Sequence, residues 1–287
     1  MRSSVRPRLR YGDSLQGIAP LRTSSINRDM TVLEEQFARE LRRWRSRRRI
    51  SQLDLAIRAD TTQRHLSFLE QGRSQPGRAM VVRLAESLDL SLRERNELLL
   101  AAGYAPIYTE SSLDAPELGP VREALERILD GHLPYPAVVV RPYGELVTAN
   151  PAFDVLSEGA APALLEPPVN VLRLALHPDG MARRVQNLAE WGRHITGSLR
   201  DQARQSPDPA LEEFIAELAG YLPDIDPPAA HLGFAVPLRL RVREGELHLI
   251  TTLTSFATAV DVTLSELRLE AFLPADETTA TILRQRG

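Results

Sequence analysis

A five-helix, all-α N-terminal bundle followed by an α+β domain built on an antiparallel sheet is the architecture this sequence predicts, on three observations. The charge is divided: residues 1–104 carry 20 arginines against 12 acidic residues, whereas residues 105–287 carry 15 against 26. Apolar residues recur at helical spacing through the first hundred positions. Beyond residue 137, short β-branched runs separated by turn sequences alternate with helical segments, an order that suits one antiparallel sheet with helices on one face. A chain of 287 residues allows about two domains, and 43% hydrophobic residues suffice to fill their cores, which excludes wholesale disorder.

The boundaries follow from these patterns: a flexible basic arm over 1–31, a bundle over 32–104, a linker over 105–116 and a second domain over 117–287. In the bundle, Leu33, Phe37, Leu41 and Trp44 mark one face of a first helix that ends in Arg42, Arg43, Arg45, Arg47, Arg48 and Arg49. Ser51 caps a second helix with Leu53, Ala56 and Ala59 inward. Thr61 or Thr62 caps a third, with Leu66 and Leu69 inward and Gly72 as a left-handed stop. A fourth helix is expected over 80–88 and a fifth over 92–101. In the second domain a helix over 121–129 buries Leu125 and Ile128. Strands at 137–141 and 145–149 flank the Pro142-Tyr143-Gly144 turn. Helices follow at 152–156, 181–204 and 209–221, then strands at 234–243, 246–254 and 266–272.

Composition removes several chemistries. Every one of the 35 basic residues is arginine, so Schiff-base catalysis and a P-loop lysine are excluded. A GC-rich genome that favours arginine codons accounts for the bias. No cysteine is present, which removes thiolate metal sites and disulfides and suits a cytoplasmic protein. No apolar run approaches the ~20 residues of a membrane helix, and the N-terminus lacks the apolar stretch of a signal peptide. His177-x-Asp179 has no third ligand at metal spacing, and no Gly-x-Ser-x-Gly elbow occurs, so neither a metal site nor an enzyme is expected.

The run SQLDLAIRADTTQRHLSFLEQGRSQP (51–76) resembles the XRE-type, phage-repressor-like helix-turn-helix, with Ser51-Gln52, Leu55-Ala56 and Leu69-Glu70-Gln71-Gly72 in the family's order. Residues 64–108, with NVLRLALHPDGMARRVQNLAEW (170–191) and DVTLSELRLEAFLPADETTATIL (261–283), resemble the MmyB-like subgroup. The resemblance implies a transcription regulator that binds double-stranded DNA as a homodimer, with a PAS-like second domain that in some members holds a fatty acid. No other cofactor is expected. The alternative is a protein-interaction module whose acidic second domain binds a partner protein.

A helix-turn-helix lays its third helix in the major groove. That places Thr62, Gln63, Arg64, His65 and Phe68 at base edges, where glutamine suits adenine and arginine suits guanine. Phe68 reads a thymine methyl, or packs on the fourth helix or at a dimer contact, and His65 touches DNA or stays solvated. Gln52, Arg73, Arg42, Arg43 and Arg47 are the phosphate-contact candidates. Trp44 belongs to the core. For a fatty acid, Arg173 or Arg184, with Asn170 and Asn187, would hold the carboxylate, and Trp191 belongs to the same polar cluster; the competing role is structural, with Asn170-Val-Leu-Arg173 tying the inter-helix loop to the sheet. Phe153, Leu156, Leu164, Leu165, Val171, Leu172, Leu174 and Leu176 line a pocket or fill an ordinary core.

Overall fold

Phe37, Leu41 and Trp44 form the buried seam of α1 (Thr23–Arg47) in the computed structural model, which describes residues 23–205, 208–224, 236–256 and 258–286. Helix α1 starts before the expected position, so residues 23–31 are helical rather than an arm; residues 1–22 and the side chain of Leu33 lie outside the described residues. The hydroxyl of Ser51 accepts the Asp54 N–H at 3.1 Å to start α2 (Gln52–Arg58), and that of Thr62 accepts the His65 N–H at 3.1 Å to start α3 (Gln63–Glu70). Leu55, Ala56 and Ala59 face inward from this region, while Leu53 is 52% exposed, so the buried stripe of α2 runs through Leu55 and not Leu53. Gly72 adopts φ 67°, and the next N–H, of Arg73, closes on the Phe68 carbonyl at 2.9 Å. Helices α4 (Arg78–Ser87) and α5 (Leu92–Ala101) complete the bundle, α5 opening with a reciprocal Ser91–Glu94 capping box.

The segment between the domains is strapped down at both ends. Asn96 of α5 donates to the Tyr108 carbonyl at 2.8 Å and accepts the N–H groups of Ile107 and Tyr108. Asp261 accepts from Thr109 and Ser111, and the Val262 N–H reaches the Thr109 carbonyl at 2.8 Å. Such a segment holds the domains in register instead of tethering them loosely.

The second domain carries one antiparallel sheet in the order β2-β1-β5-β4-β3, formed by β1 (Ala137–Val140), β2 (Leu146–Ala149), β3 (Leu238–Val242), β4 (Gly245–Ser255) and β5 (Arg268–Pro274). The first two residues of the expected strand at 234–243 lie outside the described residues. All four residues of β1 are buried, because both sheet faces are covered. Val138 and Val140 pack with α7 (Asp154–Ser157), α8 (Val171–Leu176), α9 (Leu188–Gln205) and α10 (Pro209–Gly220). Ala137 and Val139 pack against α6 (Gly119–Asp130) and Leu113 of the connecting segment. The expectation of helices on one face is corrected accordingly, and on α6 the inward residues are Leu125 and Leu129, with Ile128 exposed.

The helix expected over 181–204 is two pieces. Met181–Arg184 is a 3-10 turn, then Val185 bridges Leu240 and the Gln186 N–H bonds the Arg239 carbonyl at 2.8 Å. Backbone groups given to β3 are unavailable to a helix, so α9 restarts at Leu188. Among the described residues, three α-helices lie outside the expected segments, α8, α11 (Val262–Glu266) and α12 (Glu277–Arg286); Ile282 and Leu283 of α12 join the main core.

Candidate DNA-binding face and ligand cavity

Helix α3 presents Gln63 and Arg64 to solvent beside its exposed cap Thr62, with His65 and Phe68 half-buried on its flank. The Arg64 guanidinium lies 5.4 Å from the Phe68 ring centroid, so Phe68 helps aim that arginine outward. Arg73 is exposed one residue beyond the glycine stop. These side chains form one surface at the N-terminal and C-terminal ends of α3.

Behind that surface sits a buried carboxylate that the sequence reading did not assign. Glu70 is 2% exposed and receives Arg45 as a fork, at 2.5 and 3.0 Å, together with the Gln52 amide at 2.7 Å. Arg42 donates to the Glu70 carbonyl. Gln52, expected on a phosphate, helps satisfy the buried carboxylate, whereas Arg42, also expected on a phosphate, is exposed and donates to the Glu70 main-chain carbonyl. The Leu69-Glu70-x-Gly72 spacing located Glu70 but carried no hint of its partners.

Arg43 and Arg47 are the other two expected phosphate contacts on α1. They flank Trp44, at 5.0 and 5.2 Å from its ring centroid, and all three stand on the wall of a cavity that faces the second domain.

That cavity encloses about 920 Å³. Its depth is apolar, with Val138, Val140, Leu174, Met181, Trp191, Ile195, Leu199 and Phe272 among its walls. Of the apolar candidates, Phe153, Leu156, Val171, Leu172 and Leu174 line it, whereas Leu164, Leu165 and Leu176 do not. Charged residues line it as well: Arg47, Arg93 and Glu94 from the first domain, with Arg141, Glu266 and the buried Glu270 from the second. Burial holds the Glu270 carboxyl above the ordinary carboxylate range. On the rim Gly144 adopts φ 82°, and a Cβ there would come within 2.7 Å of the Leu172 side chain, so the turn needs glycine to approach α8. Tyr143 beside it donates to Asp208 at 2.9 Å; burial, then that bond, push its phenol up to about 12, which keeps it a donor.

Of the five predicted ligand residues, Trp191 alone lines the cavity. Asn170 caps α8 and donates to the Tyr143 carbonyl at 2.9 Å. Arg173 forks onto Glu217 at 2.6 and 2.8 Å, and Arg184 ties the carbonyls of Val155 and Leu156. Asn187 holds the Pro237 carbonyl and the Arg239 N–H. Those four tie the protein to itself and none of them lines the cavity, although the buried Nε of Arg184 has no hydrogen-bond partner. Among the described residues no cluster of three or more metal-ligating side chains occurs, and no helix is long and apolar enough to cross a membrane.

Arg93 joins the two domains at the cavity mouth. It forks onto Glu266 of α11 at 2.6 and 2.9 Å and reaches Glu110 at 2.6 Å.

A model of the MmyB-like transcription regulator ligand binding domain matches residues 121–285, and a helix-turn-helix domain model matches residues 36–98. No curated protein matches the chain. Among solved structures, the clp gene regulator ClgR from Corynebacterium glutamicum shares 22% identity, over 36% of this chain and 95% of that one, with a TM-score of 0.22. An RNA-binding light-oxygen-voltage receptor shares 13% identity, over 91% of this chain and 64% of that one, with a TM-score of 0.24.

Proposed function

The chain belongs to the family of MmyB-like transcription regulators through its ligand-binding domain, and on that premise we propose a one-component cytoplasmic regulator whose DNA affinity answers to a fatty acid in the cavity. The observation that carries the ligand class is the cavity itself: walls of aliphatic and aromatic side chains that also carry five arginines alongside five carboxylates. A long-chain carboxylate matches the apolar walls and the arginines, burying its tail at roughly 25 cal/mol per Å² and offering an anion to guanidinium forks.

The test is an electrophoretic shift on the DNA upstream of the protein's own gene, with and without added dodecanoic to octadecanoic acids. The expected result is a changed mobility midpoint on adding acid, and a retained adduct of that mass by native mass spectrometry. Protein that emerges free of adduct and shifts DNA identically with every acid would defeat the ligand assignment.

For DNA, the proposal assigns base contacts to Thr62, Gln63, Arg64, His65 and Phe68, and a phosphate contact to Arg73. Arg64→Ala is expected to cost about 1–3 kcal/mol on the cognate site while relaxing sequence choice. Arg73→Ala is expected to weaken all duplexes alike and to lower the salt slope by about one unit. Titrations of cognate and random duplexes at several salt concentrations check both; an equal loss on both duplexes for Arg64→Ala would remove it from base readout. A homodimer would set two half-sites about 34–36 Å apart, or a multiple of that. Light scattering behind size exclusion measures the dimer directly.

A further inference from the structure

The second domain does not close the cavity mouth by itself. Arg43, Trp44 and Arg47 of α1, in the DNA-binding bundle, stand on its wall. The other rim cations are engaged: Arg93 by Glu266 and Glu110, Arg141 by Glu145, Arg268 by the Ser265 and Leu267 carbonyls, and Arg43 by Glu40 at 2.6 Å. Arg47 has no hydrogen-bonded or ion-paired partner among the described residues, only the Trp44 ring beneath it. It is half-buried, and burial followed by the nearby Arg43 holds its pKa below the usual arginine value. Glu40 and Glu94 are near enough to oppose that lowering, but neither makes a hydrogen bond or ion pair with Arg47, so a partly desolvated cation faces the cavity without a direct anionic contact.

We infer that Arg47 holds the anionic head of the cavity ligand, so that the DNA-binding domain itself completes the ligand site. The inference rests on the cavity being the ligand site proposed above. Its consequence is regulatory. Two residues before Arg47, Arg45 is forked onto Glu70 at the end of α3. An anion seated on Arg47 therefore acts on the same turn of α1 that anchors the recognition helix, and differential contact with that turn is what a ligand needs to bias DNA affinity.

The chain's two tryptophans, Trp44 and Trp191, both line the cavity, so intrinsic fluorescence reports binding without a label. Tetradecanoic acid and 1-tetradecanol, of equal chain length, are titrated into the full-length protein at pH 8. The wild type is expected to bind the acid about tenfold tighter than the alcohol, the scale of one charge-assisted contact. Arg47→Gln is expected to bring the acid down to the alcohol's affinity and leave the alcohol within about twofold; Arg47→Lys is expected to retain most of the preference. Undiminished acid preference in Arg47→Gln overturns the inference and leaves the ligand reading standing. An equal loss of both ligands also overturns it, since a residue that reads only charge leaves the alcohol untouched. Failure of the wild type to bind either compound overturns the ligand reading and this inference with it.

Discussion

Glu70→Ala is expected to cost the N-terminal bundle about 3–5 kcal/mol, the usual loss when one partner of a buried ion pair is removed. Glu70 takes two bonds from Arg45 and one from Gln52, and the Arg45 side chain is 16% exposed. Deleting the carboxylate leaves that guanidinium and the Gln52 amide without their acceptor. For a small domain whose whole stability is about 5–15 kcal/mol, the loss is a large share. The functional result should be larger than any base contact provides, because α3 is set against α1 through this cluster. Urea unfolding followed by circular dichroism measures the loss, and a change under about 1 kcal/mol would refute the assignment. Replacing Arg45 and Glu70 together with leucine should recover most of the stability, since a paired exchange strands no charge.

Gly180→Ala is expected to destabilise the second domain by about 3 kcal/mol or more, as forced overpacking does in a filled interior. A Cβ at Gly180 would fall 2.2 Å from the Leu174 carbonyl oxygen and 3.3 Å from that of His177. Both are backbone atoms, and the Leu174 side chain is fully buried, so neither can swing aside. Gly180 precedes Met181, a wall of the cavity, and ligand affinity should fall with stability. Gly197 in α9 supplies the opposite sign: its Cβ would meet nothing within 4 Å, and Gly197→Ala is expected to stabilise by about 0.5–1 kcal/mol. Thermal unfolding monitored at the tryptophans ranks the two; equal midpoints would contradict the packing argument.

The first domain was largely legible because its signals are local. Ser51 and Thr62 cap helices from one turn away, Gly72 ends one, and Phe37, Leu41 and Trp44 share a face by spacing alone. The Pro142-Tyr143-Gly144 turn between β1 and β2 is legible for the same reason. What spacing does not show is the distant partner of a polar side chain. Asn170, Arg173, Arg184 and Asn187 are polar residues near an apolar run, as a ligand site requires, yet each is taken by a group between 27 and 52 residues away in sequence. The helix over 181–204 broke because β3 claims the backbone at Val185 and Gln186.

The arginine cluster shows where the division falls. Its existence at the end of α1, its contrast with an acidic second domain and its neighbourhood to a helix-turn-helix are properties of composition and spacing, and the sequence alone determined them. Which arginine serves which task was decided by tertiary structure. Arg42 and Arg45 turn to Glu70, while Arg43 and Arg47 turn to Trp44 and the cavity. The reason is geometric: helical phase separates neighbouring side chains by about 100°, and only the packed surroundings determine what each direction meets.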